Sequence, residues 1–171
     1  MGELLINPKI ILAALLIMAG VAIDLRTKKV PNRLIIVGIT LALITVYIVD
    51  GKSGFWPAAA SLGAAALFSV PLYSLRAIAA GDVKLIGVLA LLLSWNVCIT
   101  MILASMIWGS ILGLTRVILA GNTKEFFSNI ALILKRANPS QQKLSHIPYT
   151  IAILFGFLTS LGLSSAGISW V

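Results

Sequence analysis

The heptapeptide AAGDVKL at residues 79–85 separates two long apolar runs and carries one of the five acidic residues of the chain. A charged carboxylate at the edge of a membrane segment is energetically costly, so Asp82 is a candidate for a functional role. Gly81, immediately before it, allows the backbone to bend or to approach a neighbour closely. A second stretch, DLRTKKVPNRL at residues 24–34, also places an aspartate, Asp24, where an apolar run ends. We predict that Asp24 and Asp82 lie close together in the folded protein.

The composition around these two stretches is typical of a membrane protein. Of the 171 residues, 60% are hydrophobic and 11% are charged, whereas soluble domains carry about 25% charged residues. The net charge of +8 is attributed to basic cytoplasmic loops that lie near anionic lipid headgroups, so nucleic-acid binding is not expected. The composition predicts an all-α, polytopic membrane protein that forms a single domain over residues 1–171.

Turn and capping residues divide the apolar sequence into six segments, which predict six transmembrane helices. Asn7 and Pro8 suit the start of a helix, while Pro31 and the polar turn at residues 50–54 suit breaks between helices. The glycines of GSILG, residues 109–113, would let another helix pack closely. The predicted segments cover about residues 8–23, 34–49, 58–77, 83–93, 97–119 and 148–163.

The longest polar stretch, residues 121–146, lies between the fifth and sixth segments. Asn122 and Glu125 have the spacing of a capping box, and the apolar residues from Phe126 to Leu134 recur on one helical face. This pattern predicts a short amphipathic helix on the membrane surface, with a buried core helix as the alternative.

The distribution of positive charge predicts the orientation in the membrane. Of the 13 Lys and Arg residues, all but Lys9 and Lys52 fall in loops on the same side of the six predicted segments. Cytoplasmic loops carry the excess of Lys and Arg, so this side is predicted to be cytoplasmic. Both termini are then outside, and Asp24 and Asp82 share the cytoplasmic side.

Two carboxyl groups around one water molecule can hydrolyse an amide bond. The ionised carboxylate acts as general base on the water, and the protonated carboxyl donates to the carbonyl oxygen. Repulsion between two charges in a poorly solvated place favours the sharing of one proton. The residues alone leave two other interpretations of Asp24 and Asp82 open. One is a structural salt bridge or helix-end charge, and the other is the proton or ion pathway of a small membrane transporter.

The remaining polar chemistry is sparse. Cys98 is the single cysteine, which excludes an internal disulfide and a multi-cysteine zinc site. His146 is the single histidine, so no metal cofactor is expected. Arg26 and Lys84 each follow an aspartate by two residues, a spacing at which side chains do not face each other on a helix. They are predicted to anchor at lipid phosphates or, alternatively, to contact a substrate.

The two aspartate stretches resemble those of a known family. Residues 24–34, with VPNRL at 30–34, resemble the first motif of the type IV prepilin peptidase family, and GDVKL at 81–85 resembles the second, a form of GxGD. Ala79 stands where GxGD has its first glycine. The similarity covers most of the chain, including the IPY sequence at 147–149 that begins the last segment.

The resemblance implies an aspartic endopeptidase of the inner membrane, with Asp24 and Asp82 as catalytic residues and no cofactor. Its substrates would be prepilins or pseudopilins, cut on the cytoplasmic side between a short basic leader and a hydrophobic helix. The chain is similar to compact, peptidase-only members found with tight-adherence or Flp pilus systems, and an archaeal preflagellin peptidase is the close alternative. Candidate substrate-contacting residues are Gly81, Lys84, Arg26, Pro31, Asn32 and Glu125.

Overall fold

The computed structural model describes residues 7–75, 77–119 and 149–166, which form α-helices, one short 3-10 helix and no β-strand. In chain order these elements are α1 (Pro8–Thr27), α2 (Asn32–Asp50), the 3-10 helix (Gly51–Gly54), α3 (Phe55–Ser74), α4 (Ala80–Leu92), α5 (Trp95–Leu119) and α6 (Tyr149–Ser165). The all-α prediction is confirmed for this part of the chain. The amphipathic helix predicted within residues 121–146 lies outside the described residues.

In the part of the chain that the structure describes, three helical stretches are long and apolar enough to cross a membrane. They are Pro8–Thr27, Asn32–Ser74 and Trp95–Leu119. The second contains α2, the 3-10 helix and α3, while α6 is a shorter apolar helix. Large apolar side chains also cover the outside of the bundle, where Leu15, Ile48 and Leu67 are well exposed. Helices that are apolar on all sides are typical of an environment of lipid.

The short helix α4 occupies the centre of the bundle. It contacts each of the other five α-helices described, and Leu85, Ile86 and Leu89 on it are almost completely buried. Its 13 residues span about 20 Å at ~1.5 Å per residue, which is less than the ~30 Å hydrocarbon core of a bilayer. The first turn of α4, which carries Asp82, is therefore enclosed by longer neighbours.

The end of α1 differs from the sequence prediction, which placed it near residue 23. The backbone N–H of Lys28 donates to the carbonyl of Asp24 at 2.7 Å, so the helix continues to Thr27. Lys28 then adopts a left-handed conformation with φ 56°, which ends the helix. Asp24 accordingly lies within the last helical turn and not beyond it.

The boundaries of α3 and α4 also differ from prediction. α3 occupies Phe55–Ser74 instead of residues 58–77. α4 begins at Ala80 and not at Val83, because the side chain of Asp82 accepts a hydrogen bond from the backbone N–H of Ala79 and caps the first turn. Asp82 is thus part of α4.

Helices α5 and α6 approach most closely at Gly156. A Cβ atom placed on Gly156 would lie 2.6 Å from the carbonyl oxygen of Met101 and 2.8 Å from the backbone nitrogen of Ser105. Of the two glycines in GSILG, Gly109 faces the ring of Tyr149, whereas nothing lies within 4 Å of a Cβ placed on Gly113. Close packing thus uses one glycine of the sequence pattern and a second glycine that the pattern did not single out.

We expect Gly156→Ala to destabilise the protein by about 1–3 kcal/mol, because the added methyl group collides with the backbone of α5. The matched control is Gly162→Ala on the same helix, where a Cβ has nothing within 4 Å. Thermal unfolding in detergent measures both. Equal melting temperatures for the two variants would contradict the packing described for α5 and α6.

Candidate active site

The carboxylate of Asp24 is turned into the bundle from the last turn of α1. Asp24 is 6% exposed, and its Oδ2 atom accepts a hydrogen bond from the hydroxyl of Thr150 at 2.8 Å. Thr150 lies in the first turn of α6 and is itself fully buried. A buried carboxylate is costly unless it is hydrogen-bonded or paired, so α6 supplies a contact that Asp24 needs.

Asp82 is equally enclosed, in the first turn of α4. It is 5% exposed, and its Oδ2 atom accepts the backbone N–H of Ala79 at 3.2 Å. Ala79 has φ −83° and ψ 156°, an extended conformation open to any residue. Alanine at the position of the first glycine in GxGD therefore imposes no backbone strain and still provides the N–H that holds Asp82.

Three contacts hold the Asp24 stretch and the preceding α1 residue Gly20 against the Asp82 stretch. The contacting pairs are Gly20 with Leu85, Val30 with Gly81, and Asn32 with Lys84. A Cβ on Gly20 would lie 3.1 Å from a methyl carbon of Leu85, and a Cβ on Gly81 would lie 3.1 Å from the Cβ of Val30. The ammonium of Lys84 donates to the side-chain oxygen of Asn32 at 2.9 Å. The turn after α1 and the start of α4 therefore meet at one end of the bundle.

The start of α6 joins the two aspartates through consecutive residues. Thr150 donates a hydrogen bond to Asp24, while its neighbour Tyr149 lines a cavity together with Asp82. The sequence analysis noted the IPY sequence but did not identify Thr150. A threonine at the start of an apolar helix was the available signal, yet the partner of its hydroxyl depends on how α6 packs against α1.

Tyr149 is held by a second polar residue. Its hydroxyl lies 3.1 Å from the hydroxyl oxygen of Ser105, and Ser105 donates its own hydrogen to the carbonyl of Ile102 at 2.7 Å. A serine hydroxyl has one hydrogen, so Tyr149 is the donor in the contact with Ser105. The hydroxyl of Tyr149 is therefore held by α5 at the edge of the cavity.

A cavity of about 710 Å³ opens beside Asp82. Its walls come from the end of α3, the segment that leads into α4, the middle of α5 and the start of α6, and they include Leu72, Ile78, Met106 and Tyr149. Cavities of this size with mostly apolar walls and a few polar groups are typical binding sites.

The other predicted site residues are distributed around this end. Lys84 and Asn32 are exposed and hydrogen-bonded to each other. Gly81 packs on the turn that contains the half-buried Pro31. Arg26 is exposed beyond Asp24. Glu125 and His146 lie outside the described residues.

A further acidic residue, Asp50, lies at the opposite end of the bundle. It forms an ion pair with Lys9, which links the end of α2 to the start of α1. Within residues 7–75, 77–119 and 149–166, no three His, Cys, Asp or Glu side chains are grouped as metal ligands would be. Among the described residues, the buried carboxylates at one end of the bundle are Asp24 and Asp82, and each accepts a hydrogen bond.

The fold and the site together define a class: an all-helical membrane protein with two buried aspartates from different helices beside an apolar cavity. A known protein family matches this chain. The chain belongs to the type IV leader peptidase family, whose sequence profile matches residues 10–114 and so includes both aspartate stretches. No curated protein and no solved structure matches the chain. The family predicted from the two motifs is confirmed.

Proposed function

We propose that this protein is an aspartic endopeptidase that removes the short basic leader from type IV prepilins or pseudopilins at the cytoplasmic face of the inner membrane. Membership of a leader peptidase family supports the substrate class. The observation that carries the aspartic mechanism is the burial of Asp24 and Asp82 at one end of the bundle, in stretches held together by direct contacts.

In this mechanism the two carboxyl groups share one proton and one water molecule. The ionised group takes a proton from the water as the water attacks the scissile carbonyl, and the protonated group donates to the carbonyl oxygen. Two carboxyl groups that meet where water is scarce can hold one proton between them, because two adjacent negative charges would repel each other strongly. When the tetrahedral intermediate collapses, the carboxyl group that took the water proton donates it to the leaving nitrogen as the C–N bond breaks, and the other carboxylate recovers a proton from a hydroxyl of the intermediate, so the pair returns to its starting state.

The cavity beside Asp82 gives the substrate a place to bind. The apolar helix of the substrate would lie along the walls formed by α3 and α5, with the cleavage point at the aspartates. The leader would remain at the surface near the exposed Arg26 and the basic turn that follows α1. Because leader and turn are both basic, we propose that anionic lipid headgroups mediate their encounter.

The proposal is tested by co-expression with candidate prepilins, followed by mass spectrometry of the membrane fraction. We expect a mass loss equal to the leader, with cleavage at the junction between leader and apolar helix. A prepilin whose junction residue is replaced serves as the control and should stay intact. Full-length prepilin in the presence of folded, membrane-inserted enzyme, for every candidate substrate, would refute the proposed substrate class.

The proposed topology has six transmembrane helices, both termini outside and the aspartates on the cytoplasmic side. Lys9 and Asp50 lie at one end of the bundle, and the turn after α1 lies at the other. In a Cys98→Ala background, Ser53→Cys should react with a membrane-impermeant thiol reagent in intact cells. Lys29→Cys should react only after the membrane is opened. The reverse pattern would contradict the orientation and move both aspartates to the outside.

A further inference from the structure

The first turn of α6 contains a buried hydroxyl group, that of Thr150, which contacts one of the two aspartates. Thr150 is 0% exposed, and its hydroxyl donates to Oδ2 of Asp24 at 2.8 Å across 126 positions of sequence. A buried hydroxyl in a membrane helix ordinarily bonds to a carbonyl of its own helix, as Ser160 does to Phe157 on α6. Thr150 instead uses its one hydrogen on the carboxylate.

We propose that Thr150 is a positioning residue for Asp24, an inference that rests on the proposed aspartic mechanism. A carboxylate on a helix retains rotation about its side-chain torsions unless neighbours fix it. The hydroxyl of Thr150 binds Oδ2 and so restricts the orientation of the carboxyl plane, and in the proposed mechanism Oδ1 takes the water and the shared proton. General acid–base catalysis requires such a group at hydrogen-bond distance in a defined orientation.

The surroundings make Thr150 suited to this task. Its helix is anchored against α5 by Gly156, and its neighbour Tyr149 is fixed by Ser105. The same helical turn therefore contacts Asp24 through Thr150 and borders the cavity of Asp82 through Tyr149. A shift of α6 would therefore move the hydrogen-bond donor of Asp24 and a wall of the cavity beside Asp82 together.

The test is steady-state kinetics of Thr150→Val, which keeps the shape of the side chain and removes the hydroxyl. Because Thr150→Val lacks a buried hydrogen bond to a charged group, we expect its kcat to be about 10- to 100-fold below that of the wild type. KM should change by less than about twofold, because Thr150 does not touch the substrate. Thr150→Ser keeps the hydroxyl, so its kcat should stay within about threefold of that of the wild type.

Ser160→Ala is the matched control, since it removes a buried hydroxyl from the same helix without touching an aspartate. It should keep wild-type kinetics. The inference is overturned if Thr150→Val has wild-type kcat, if Thr150→Ser is as impaired as Thr150→Val, or if Ser160→Ala loses as much activity. Rates are normalised to folded, monodisperse enzyme, so a folding defect does not count as a catalytic one.

Asp24→Asn in the same assay separates the two levels of the argument. An inactive Asp24→Asn variant together with a fully active Thr150→Val variant would overturn the positioning role alone. A fully active Asp24→Asn variant would overturn the aspartic mechanism itself, and the positioning role with it.

Discussion

Asp24→Asn and Asp82→Asn should each reduce leader cleavage by about 10³-fold or more while leaving insertion and folding intact. Asparagine has the shape of aspartate but neither accepts the proton of the attacking water nor donates a proton to the carbonyl oxygen. The hydrogen bonds to Thr150 and to the N–H of Ala79 are retained, because an amide oxygen accepts them as well. The effect is therefore expected in the rate and not in the fold.

Asp50→Asn is the matched control for these two variants. Asp50 is paired with Lys9 at the opposite end of the bundle, and partly exposed ion pairs contribute about 0–1 kcal/mol. Its cleavage rate should stay within about twofold of the wild type. Processing by Asp24→Asn or Asp82→Asn at the wild-type rate would exclude the aspartic mechanism, whatever the behaviour of the control.

Much of the fold could be predicted because its signals are local. Apolar runs, the Asn7–Pro8 helix start and the turns around residues 31 and 51 place the described helices with errors of a few residues. The errors are informative. The predicted first segment ends just before Asp24 and the predicted fourth segment begins just after Asp82, since a charged residue at the edge of an apolar run resembles a helix boundary. In the structure both aspartates belong to helical turns. The structure instead caps α4 with Asp82 and continues α1 through Asp24.

The non-local part of the site was beyond sequence reasoning. The motif positions identified Asp24 and Asp82, but the hydroxyl that holds Asp24 and the tyrosine that shares a cavity with Asp82 come from α6, far along the chain. Thr150, Tyr149 and Ser105 have no spacing that links them to either aspartate. Their role follows from the central place of α4 and from the close packing at Gly156, both of which depend on the assembled bundle.

The second large effect concerns the variant that lacks both carboxyl groups. If Asp24 and Asp82 act on one water molecule and share one proton, neither performs half of the reaction alone. Residues that work as a unit are strongly non-additive, so removal of the second should cost little once the first is gone. The variant with both Asp24→Asn and Asp82→Asn should then be about as slow as either single variant, again about 10³-fold or more below the wild type.

Independent roles for the two aspartates predict a different outcome. If one were catalytic and the other bound the substrate leader, the two losses would be separate contributions to the transition-state free energy. They would then add in free energy, and the rate of the double variant would fall by the product of the two single losses. A loss confined to KM in one of the single variants would point to the same division of roles.

The most direct measurement is a double-mutant cycle on purified enzyme in detergent, with a synthetic prepilin under single-turnover conditions. Enzyme in excess and mass-spectrometric detection of the released leader extend the measurable range to slow variants. The shared-water mechanism predicts that the wild type cleaves rapidly and that the double variant is within about tenfold of the slower single variant. A double variant slowed by the full product of the single losses would contradict it.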